Sequence, residues 1–339
     1  MTTETCAATS NQMLHVYTDS YAQWNLGPHH HTKGVRYVNA TARIAELAGA
    51  HGVKIATVEP RSATREELAL VHDQAYIASV LDGDSCPEST WDEPRPDLSL
   101  LAQLMAGGTL TALEALASRP VLTAVNLPGA KHHAQRDDSA GFCVFADLAM
   151  AAELVTQGKI GRWSRVAVFD FDVHHGDGTE ALLAGNDHVL TYSVHRYGGG
   201  FYPGTGAESL PEKHVYNRPL QSGDGNLELL DATREFCELS ALFGAEIIFI
   251  AGGADGHISD PLGGRHGGGI EYTVEGIAEA MKAIRESFPT TPILFGGAGG
   301  YLPAVSDDPL AEGPYGSTAE VWATATLTLA AGARTEVPR

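Results

Sequence analysis

The sequence predicts an α/β fold, with an open, mostly parallel β-sheet flanked by helices. Short apolar runs bounded by turn residues recur along the chain, and several are followed by helix-like stretches. Such alternation is typical of parallel sheets whose strands are connected through helices. The predicted strands are 53–58, 121–125, 165–171, 188–194, 246–251 and 292–296. The predicted helices are 63–72, 98–117, 147–157, 227–242 and 273–286.

The chain is long enough for one large domain. It has 339 residues, 43% of them hydrophobic, and no linker-like segment divides it. We expect a single domain over residues 1–339, with 1–13 as a loose N-terminal segment. No apolar run approaches the length of a membrane span, and residues 1–10 do not resemble a secretion signal, so a soluble protein with no membrane partner is expected.

The four cysteines are scattered and form no C-x-x-C pair, which favours reduced thiols and a cytoplasmic location. The formal charge is -20, from 42 acidic and 22 basic side chains. Such a surface repels a phosphate backbone, so nucleic acid is not expected as a partner. The acidity serves either solubility or a preference for cationic substrates. The sequence leaves open whether the chain forms a homo-oligomer.

Polar and glycine-rich segments follow several of the predicted strands, at 170–178, 195–206, 252–269 and 296–301. In open parallel sheets, ligands bind at the carboxyl ends of the strands. These loops are therefore expected to converge on one composite active site.

One of these segments has the pattern of a metal site. Asp170, Asp172 and His174 follow an apolar strand at a spacing of two, which places them on one face. Carboxylates buried together require a cation. Asp255, after a second apolar strand, is the predicted third ligand beside Asp172 and His174, although taken alone it would be interpreted as a helix cap or turn residue. Three protein ligands with one open position describe a catalytic zinc site. His257 is a weaker candidate, for a pocket or a structural role.

Candidate catalytic groups follow two further strands. His132 and His133 are adjacent, and Asp170 and Asp177 could each orient one imidazole beside the metal. Histidines oriented in this way suit general acid and base catalysis. Tyr301 ends a glycine-rich turn and could donate to an oxyanion, or could be an ordinary surface tyrosine.

Five motifs in this chain resemble the histone deacetylase and acetylpolyamine amidohydrolase superfamily. They occur in family order: Pro-Gly-Ala-Lys-His-His-Ala with a later Gly-Phe-Cys; Asp-Phe-Asp-Val-His-His-Gly-Asp-Gly-Thr; Phe-Tyr-Pro-Gly-Thr-Gly; Gly-Ala-Asp-Gly-His with Asp-Pro-Leu-Gly; and Gly-Ala-Gly-Gly-Tyr. The resemblance implies a three-layer α/β/α fold of the arginase and deacetylase type. It also implies zinc-dependent hydrolysis of an acetylated amine, with release of acetate.

The resemblance assigns roles to the candidate residues. It implies zinc on Asp172, His174 and Asp255, and it pairs His132 with Asp170 and His133 with Asp177. His133 would be the leading general base and acid, and His132 mainly an electrostatic partner. Tyr301 would polarise the acetamide carbonyl.

The resemblance also implies binding subsites. Gly141, Phe142 and Tyr202 would line a narrow substrate tunnel, although both aromatic residues could instead pack in the core. Arg36 would line an acetate exit. Potassium would bind beneath the zinc. Its ligands would be Asp170, Asp172, His174, Ser193 and the backbone of Val194.

Some residues depart from the family pattern. Ala130 and Lys131 stand where many members have a shorter Gly-His-His, and Ala298 interrupts the usual glycine run. These departures lie beside the pocket and leave the substrate open among acetyl-lysine, an acetylpolyamine and a small acetylated amine. His29, His30 and His31 are interpreted as solvated loop residues, a substrate gate or a further metal site.

Two other functions remain open from sequence. An arginase-like enzyme with two manganese ions would share the fold class but requires further ligand carboxylates. A non-catalytic protein that binds acetyl-lysine or acetate would keep the pocket but lose a catalytic group.

Overall fold

The computed structural model describes residues 11–27, 29–83, 95–304 and 308–333. Within them, eight strands form one sheet in which every neighbouring pair is parallel, in the order β2-β1-β3-β8-β7-β4-β5-β6. The strands are β1 Gln12–Val16, β2 Lys54–Val58, β3 Thr123–Asn126, β4 Val166–Asp170, β5 Val189–Arg196, β6 Val215–Leu220, β7 Ile247–Ala251 and β8 Ile293–Gly296.

Helices cover both faces of the sheet. They are α1 Val35–Ala48, α2 Arg65–Leu68, α3 Gln74–Leu81, α4 Pro96–Ser118, α5 Asp147–Thr156, α6 Asp177–Leu183, α7 Asn226–Phe243, α8 Val274–Ser287 and α9 Ser317–Ala331. Helices α1, α9, α8 and α7 contact one another in that order, and α3, α4, α5 and α6 form a second series of neighbours. The expected open α/β sheet is confirmed, and all of its strands are parallel.

Helix α4 is the central helix of one layer. It is 23 residues long and apolar enough to cross a membrane by length and composition, which differs from our expectation that no such segment exists. Most of it is buried inside the fold, where it packs against β1, β3 and β8. A helix that is apolar around most of its circumference is typical of a core position.

Each of the six predicted strands is present, and the ends differ by at most three residues. The helix predicted at 63–72 is wrong in extent, since only Arg65–Leu68 is helical. Strand β1 begins at Gln12, so residues 12 and 13 belong to the sheet and not to the expected loose segment. Residues 1–10 of that segment, and two of the four cysteines, lie outside the described residues.

The register of the central strands positions the site. Asp170 at the end of β4 is level with Ala251 in β7, which is level with Gly296 in β8, which is level with Asn126 in β3. The four loops that follow these residues therefore start side by side at one edge of the sheet, at the carboxyl ends where binding sites form in such folds.

Candidate active site and metal centre

Two of these loops bring two carboxylates and one imidazole together. Asp172 and His174 lie just beyond β4, and Asp255 lies beyond β7; their ligand atoms are all within 4.8 Å of one another. The Nδ1 atom of His174 is 3.1 Å from a carboxylate oxygen of Asp172 and 3.1 Å from one of Asp255. The predicted third ligand is thus placed with the other two. Strand β4 itself ends at Asp170, so Asp172 and His174 sit on a bend after the strand rather than on its face.

The charges of this triad suit a cation. Asp172 is 1% exposed and Asp255 is 0% exposed. Burial, together with the negative charge of Asp172, raises the pKa of Asp255 to about 6. Nδ1 of His174 carries at most one proton and cannot satisfy both carboxylates at once. A divalent cation would neutralise both carboxylates, so the donor set fits a metal ion.

The backbone fixes these carboxylates before any ion binds. The amide of Gly299 donates to Oδ2 of Asp172 at 2.7 Å, and the amide of Val173 donates to Oδ1 of Asp255 at 3.1 Å. A Cβ atom at position 299 would lie 2.2 Å from Oδ2 of Asp255 and 2.7 Å from Oδ2 of Asp172. The turn after β8 therefore requires glycine at this position, because any side chain would enter the metal site.

The loop after β3 brings in the two catalytic candidates. Nδ1 of His132 is 2.7 Å from Oδ2 of Asp170, and Nδ1 of His133 is 2.6 Å from Oδ1 of Asp177. Each imidazole is 3% exposed. Both predicted histidine–carboxylate pairs are present, and each leaves its Nε2 atom free of the orienting carboxylate.

The two histidines have opposite electrostatic environments. Burial alone would lower the pKa of His132, but the charges of Asp170 and Asp172 outweigh it and raise the pKa to about 9. Burial lowers the pKa of His133 to about 3, helped by the charge of His132 and only partly opposed by Asp177. These shifts favour the neutral form of His133, which a general base requires, and the protonated form of His132.

Tyr301 faces the same space. Burial, with the negative charges of Asp255 and Asp172, raises its pKa well above the usual value, so the phenol keeps its proton. Its backbone amide donates to Oδ2 of Asp260 at 2.7 Å, which fixes the turn that carries it. A protonated phenol held in this position can donate a hydrogen bond to a developing oxyanion.

Aromatic rings line the approach to these groups. The ring of Tyr202 lies 5.0 Å from that of His133, edge to face, and 46% of this tyrosine is exposed. Phe142 lies 6.1 Å from Tyr301 and contacts His30 edge to face at 4.5 Å. At Gly141 an added Cβ would lie 2.2 Å from the His133 ring, so this residue lets the loop pass close to the imidazole.

The remaining candidate histidines do not lie among the catalytic candidates. His257 is fully buried, and its ring nitrogens contact Ser259 and Glu312. It is placed as a structural histidine and not on the substrate pocket. His29 and His31 are exposed, and only His30 reaches the pocket rim, through Phe142. These placements favour a loop role for the three consecutive histidines.

The candidates for the acetate exit and the potassium site, Arg36, Ser193 and Val194, are all buried. Arg36 is 3% exposed and donates to the carbonyl of Gly300 at 2.9 Å. It lines a small cavity together with the catalytic candidates Tyr301 and His132. Ser193 is level with Asp170 in the neighbouring strand, and Val194 follows it as a buried residue. The potassium site stays a prediction.

Comparison with known proteins identifies the family. The histone deacetylase domain matches residues 28–311. The chain belongs to the histone deacetylase family. It is 36% identical over 224 residues to "Acetoin utilization protein AcuC" of Bacillus subtilis, covering 60% of this chain and 57% of that protein, which is less than two thirds of the relative's length.

One further relative and one solved structure extend this comparison. The chain is 32% identical to "Histone deacetylase 8" of Xenopus laevis over 73% of this chain and 78% of that protein. The crystal structure of the HDA15 HD domain superposes with a TM-score of 0.77 and 24% identity, covering 94% of this chain and 89% of that one, which supports the fold.

Three positioning residues were missed by the sequence analysis. The carboxylate of Asp147 accepts from the amides of Ala130 and Lys131, at 2.9 and 2.7 Å, and so fixes the histidine loop. Asp260 fixes the Tyr301 turn, and Phe201 stacks on His174 at 5.2 Å. Asp260 and Phe201 lie within the family motifs Asp-Pro-Leu-Gly and Phe-Tyr-Pro-Gly-Thr-Gly. Those motifs could have identified both residues from the sequence.

Proposed function

We propose that this protein hydrolyses acetylated amines and releases acetate, with zinc bound by Asp172, His174 and Asp255. The observation that carries the proposal is the meeting of this triad with two carboxylate-oriented histidines and a protonated tyrosine in one buried site. Membership of the histone deacetylase family supports the same reaction.

The donor set is compatible with zinc. Two carboxylate oxygens and one imidazole nitrogen are ligands that zinc accepts, and three protein ligands leave a position open, as in catalytic zinc sites. When bound, zinc supplies Lewis-acid activation of water and of the substrate carbonyl. Potassium is proposed only as an additional structural ion near Asp170 and Ser193.

Side chains of the protein transfer the protons during hydrolysis of the amide. Nε2 of His133 takes a proton from the attacking water, while Asp177 holds the opposite ring nitrogen. The same nitrogen later gives this proton to the departing amine. The hydroxyl of Tyr301 donates to the carbonyl oxygen as negative charge develops there, and the cationic ring of His132 stabilises that charge.

The shape of the site supports a slender acylated amine as substrate. Tyr202 and Phe142 provide aromatic surface at the approach, and such surface suits the methylene stem of acetyl-lysine or of an acetylated diamine. The substrate class is therefore proposed as acetyl-lysine, an acetylpolyamine or a small acetylated amine.

The alternatives receive less support. Among the described residues, Asp172, His174 and Asp255 form the one group found to be suitable for a metal ion, whereas a two-manganese enzyme needs a second set of ligands. A protein that only binds acetyl-lysine would have lost a catalytic group, yet His132, His133 and Tyr301 are all present in the site.

The test combines metal analysis with acetate release. We expect about one zinc ion per wild-type chain and turnover of at least one of acetyl-lysine peptide, acetylputrescine and acetylspermidine. Asp172→Ala and His174→Ala should lose both zinc and activity, because two protein ligands do not retain the ion. Asp231→Ala, at an exposed position on α7, is the matched control and should keep both. Zinc retained in both ligand variants would exclude this site.

A further inference from the structure

Lys131 stands between two cavities. It precedes the catalytic histidines in the loop after β3 and is 8% exposed. On one side is the cavity of about 20 Å³ that the catalytic candidates line, which Lys131 lines with Arg36 and Tyr301. On the other is a cavity of about 10 Å³ whose remaining walls are apolar: Trp24, Ala102, Met105, Val144 and Phe145. Among the described residues, Lys131 is the one residue that lines both of these cavities.

Contacts on several sides hold Lys131 in place. The backbone amide of Lys131 donates to Asp147 at 2.7 Å, and its ammonium lies 5.8 Å from the centre of the Trp24 ring. The ammonium also bonds the hydroxyl of Tyr37, to which Arg36 donates at 2.8 Å. Burial alone would raise the pKa of Tyr37, but these two cations lower it. The side chain is thus tied to aromatic and phenolic partners.

The cavity that Lys131 lines with the catalytic candidates is small. A volume of about 20 Å³ accepts roughly one water-sized group. An acyl chain longer than acetyl would have to displace Lys131 from Trp24 and Tyr37. Otherwise the apolar end of that chain would lie against the ammonium group and offer it no hydrogen bond. Both outcomes disfavour apolar acyl chains.

We propose that Lys131 restricts this site to short acyl groups, by closing the acyl pocket with a cationic wall in front of the apolar cavity. This inference rests on the proposed deacetylation and adds a determinant of acyl specificity. Removal of the side chain joins the two cavities, and the apolar one then receives the end of a longer chain.

The experiment compares acyl groups on one amine. Acetyl, butanoyl and hexanoyl forms of a single lysine peptide are hydrolysed by wild type, Lys131→Ala and Lys131→Met. Lys131→Ala should raise the hexanoyl-to-acetyl ratio of kcat/KM by about tenfold or more, the effect of added room in an apolar pocket. Lys131→Met keeps the length of the wall without its charge, so a rise of only a few-fold is expected.

Controls separate this inference from stability and from the proposed function. Lys282→Met changes an exposed lysine on α8 and should leave the ratio at its wild-type value. Melting temperatures test the fold of each variant. If Lys131→Ala unfolds, Lys131→Leu serves as the second, partly opened variant. An unchanged ratio in the folded opened variant overturns the inference while acetyl hydrolysis still supports the proposed function.

Binding gives a readout that does not need turnover. If wild type hydrolyses no acetylated amine, the proposed function fails, and calorimetric titration with acetate and hexanoate still tests the cavity. Wild type should favour acetate, and Lys131→Ala should shift the preference toward hexanoate by about tenfold. Equal preferences in the two proteins contradict the role of Lys131.

Discussion

Two adjacent residues, His132 and His133, show how strongly the site distinguishes identical side chains. Each imidazole has one carboxylate partner at a similar distance, 2.7 and 2.6 Å. The difference comes from the second carboxylate, Asp172, whose charge also raises the pKa of His132. His133 instead has the charged His132 beside it, which adds to burial in lowering its pKa. These opposite shifts fit the proposed roles of His132 as an electrostatic group and His133 as a base.

The first prediction concerns Tyr301. Tyr301→Phe removes only the hydroxyl, so zinc content and melting temperature should stay at wild-type values. Turnover should fall by about two orders of magnitude, as for the loss of other oxyanion donors. Steady-state kinetics on the best acetylated substrate measures this. A wild-type kcat in Tyr301→Phe would mean that the phenol does not face the reacting carbonyl.

The second prediction concerns His15 in β1, far from any assigned catalytic role. Burial lowers its pKa to about 4, and its Nε2 atom has no partner among the described residues. Between pH 6.5 and 4 the unfolded chain binds this proton and the folded chain does not. The folded state therefore loses stability as the pH falls through that window, by about 1 kcal/mol per pH unit from this residue.

His15→Leu removes that titration. Denaturant unfolding at several pH values should show the variant gaining stability relative to wild type as the pH falls from 6.5 to 4. Above pH 7 the difference between the two should be constant. A difference that does not change with pH across the acidic window would show that the folded protein protonates His15 as readily as the unfolded chain does.

Residues of the site could be predicted from the sequence where they are of a metal-ligating or catalytic type and closely follow a predicted strand. The zinc candidates and the catalytic histidines met both conditions. Asp147 was missed because no sequence pattern marks its partners: its carboxylate accepts from the Thr109 hydroxyl and from the amides of a loop 16 and 17 residues earlier in the chain. His257 was a weaker candidate, for a pocket or a structural role, and the sequence could not decide between them because one of its two ring contacts, Glu312, lies 55 residues along the chain.

At the level of elements, a continuous apolar run decided which strands could be predicted from sequence: the exposed edge strand β2 was predicted, and the mostly buried strand β1 was not. The central strands β4, β7 and β8 are buried throughout and read as continuous apolar runs. Strand β6 is at one edge and contains the sequence VYNRPL, so polar residues and a proline conceal it. Strand β1 is short and begins with glutamine, which made it resemble a loose segment.

The third prediction concerns the turn after β8. Gly299→Ala should lower metal affinity by about 10- to 100-fold, because the methyl group would displace the carboxylates of Asp172 and Asp255. Competition with a zinc chelator measures this affinity. Gly49→Ala is the matched control, since a Cβ there meets nothing within 4 Å and the backbone is helical. Equal zinc affinities of the two variants would show that the turn accommodates the methyl group without displacing the carboxylates.

At the scale of the whole molecule, the excess of acidic residues bears on which substrates approach. The formal charge of -20 results from 42 acidic against 22 basic side chains. Several acidic groups of the site interior are already paired with histidines, as in Asp170 and Asp177. The remaining carboxylates therefore largely determine the field outside the protein, and that field attracts cations.

The last prediction follows from this field. A cationic acetylated amine should have a higher kcat/KM than a neutral analogue of equal length at low ionic strength, because attraction raises the rate of encounter. Added salt should reduce this advantage, since exposed charges are screened within about 10 Å at 0.1 M ionic strength. The neutral analogue is the control and should respond little to salt. Equal values for the two substrates at both ionic strengths would mean that the acidity serves solubility and does not guide the substrate.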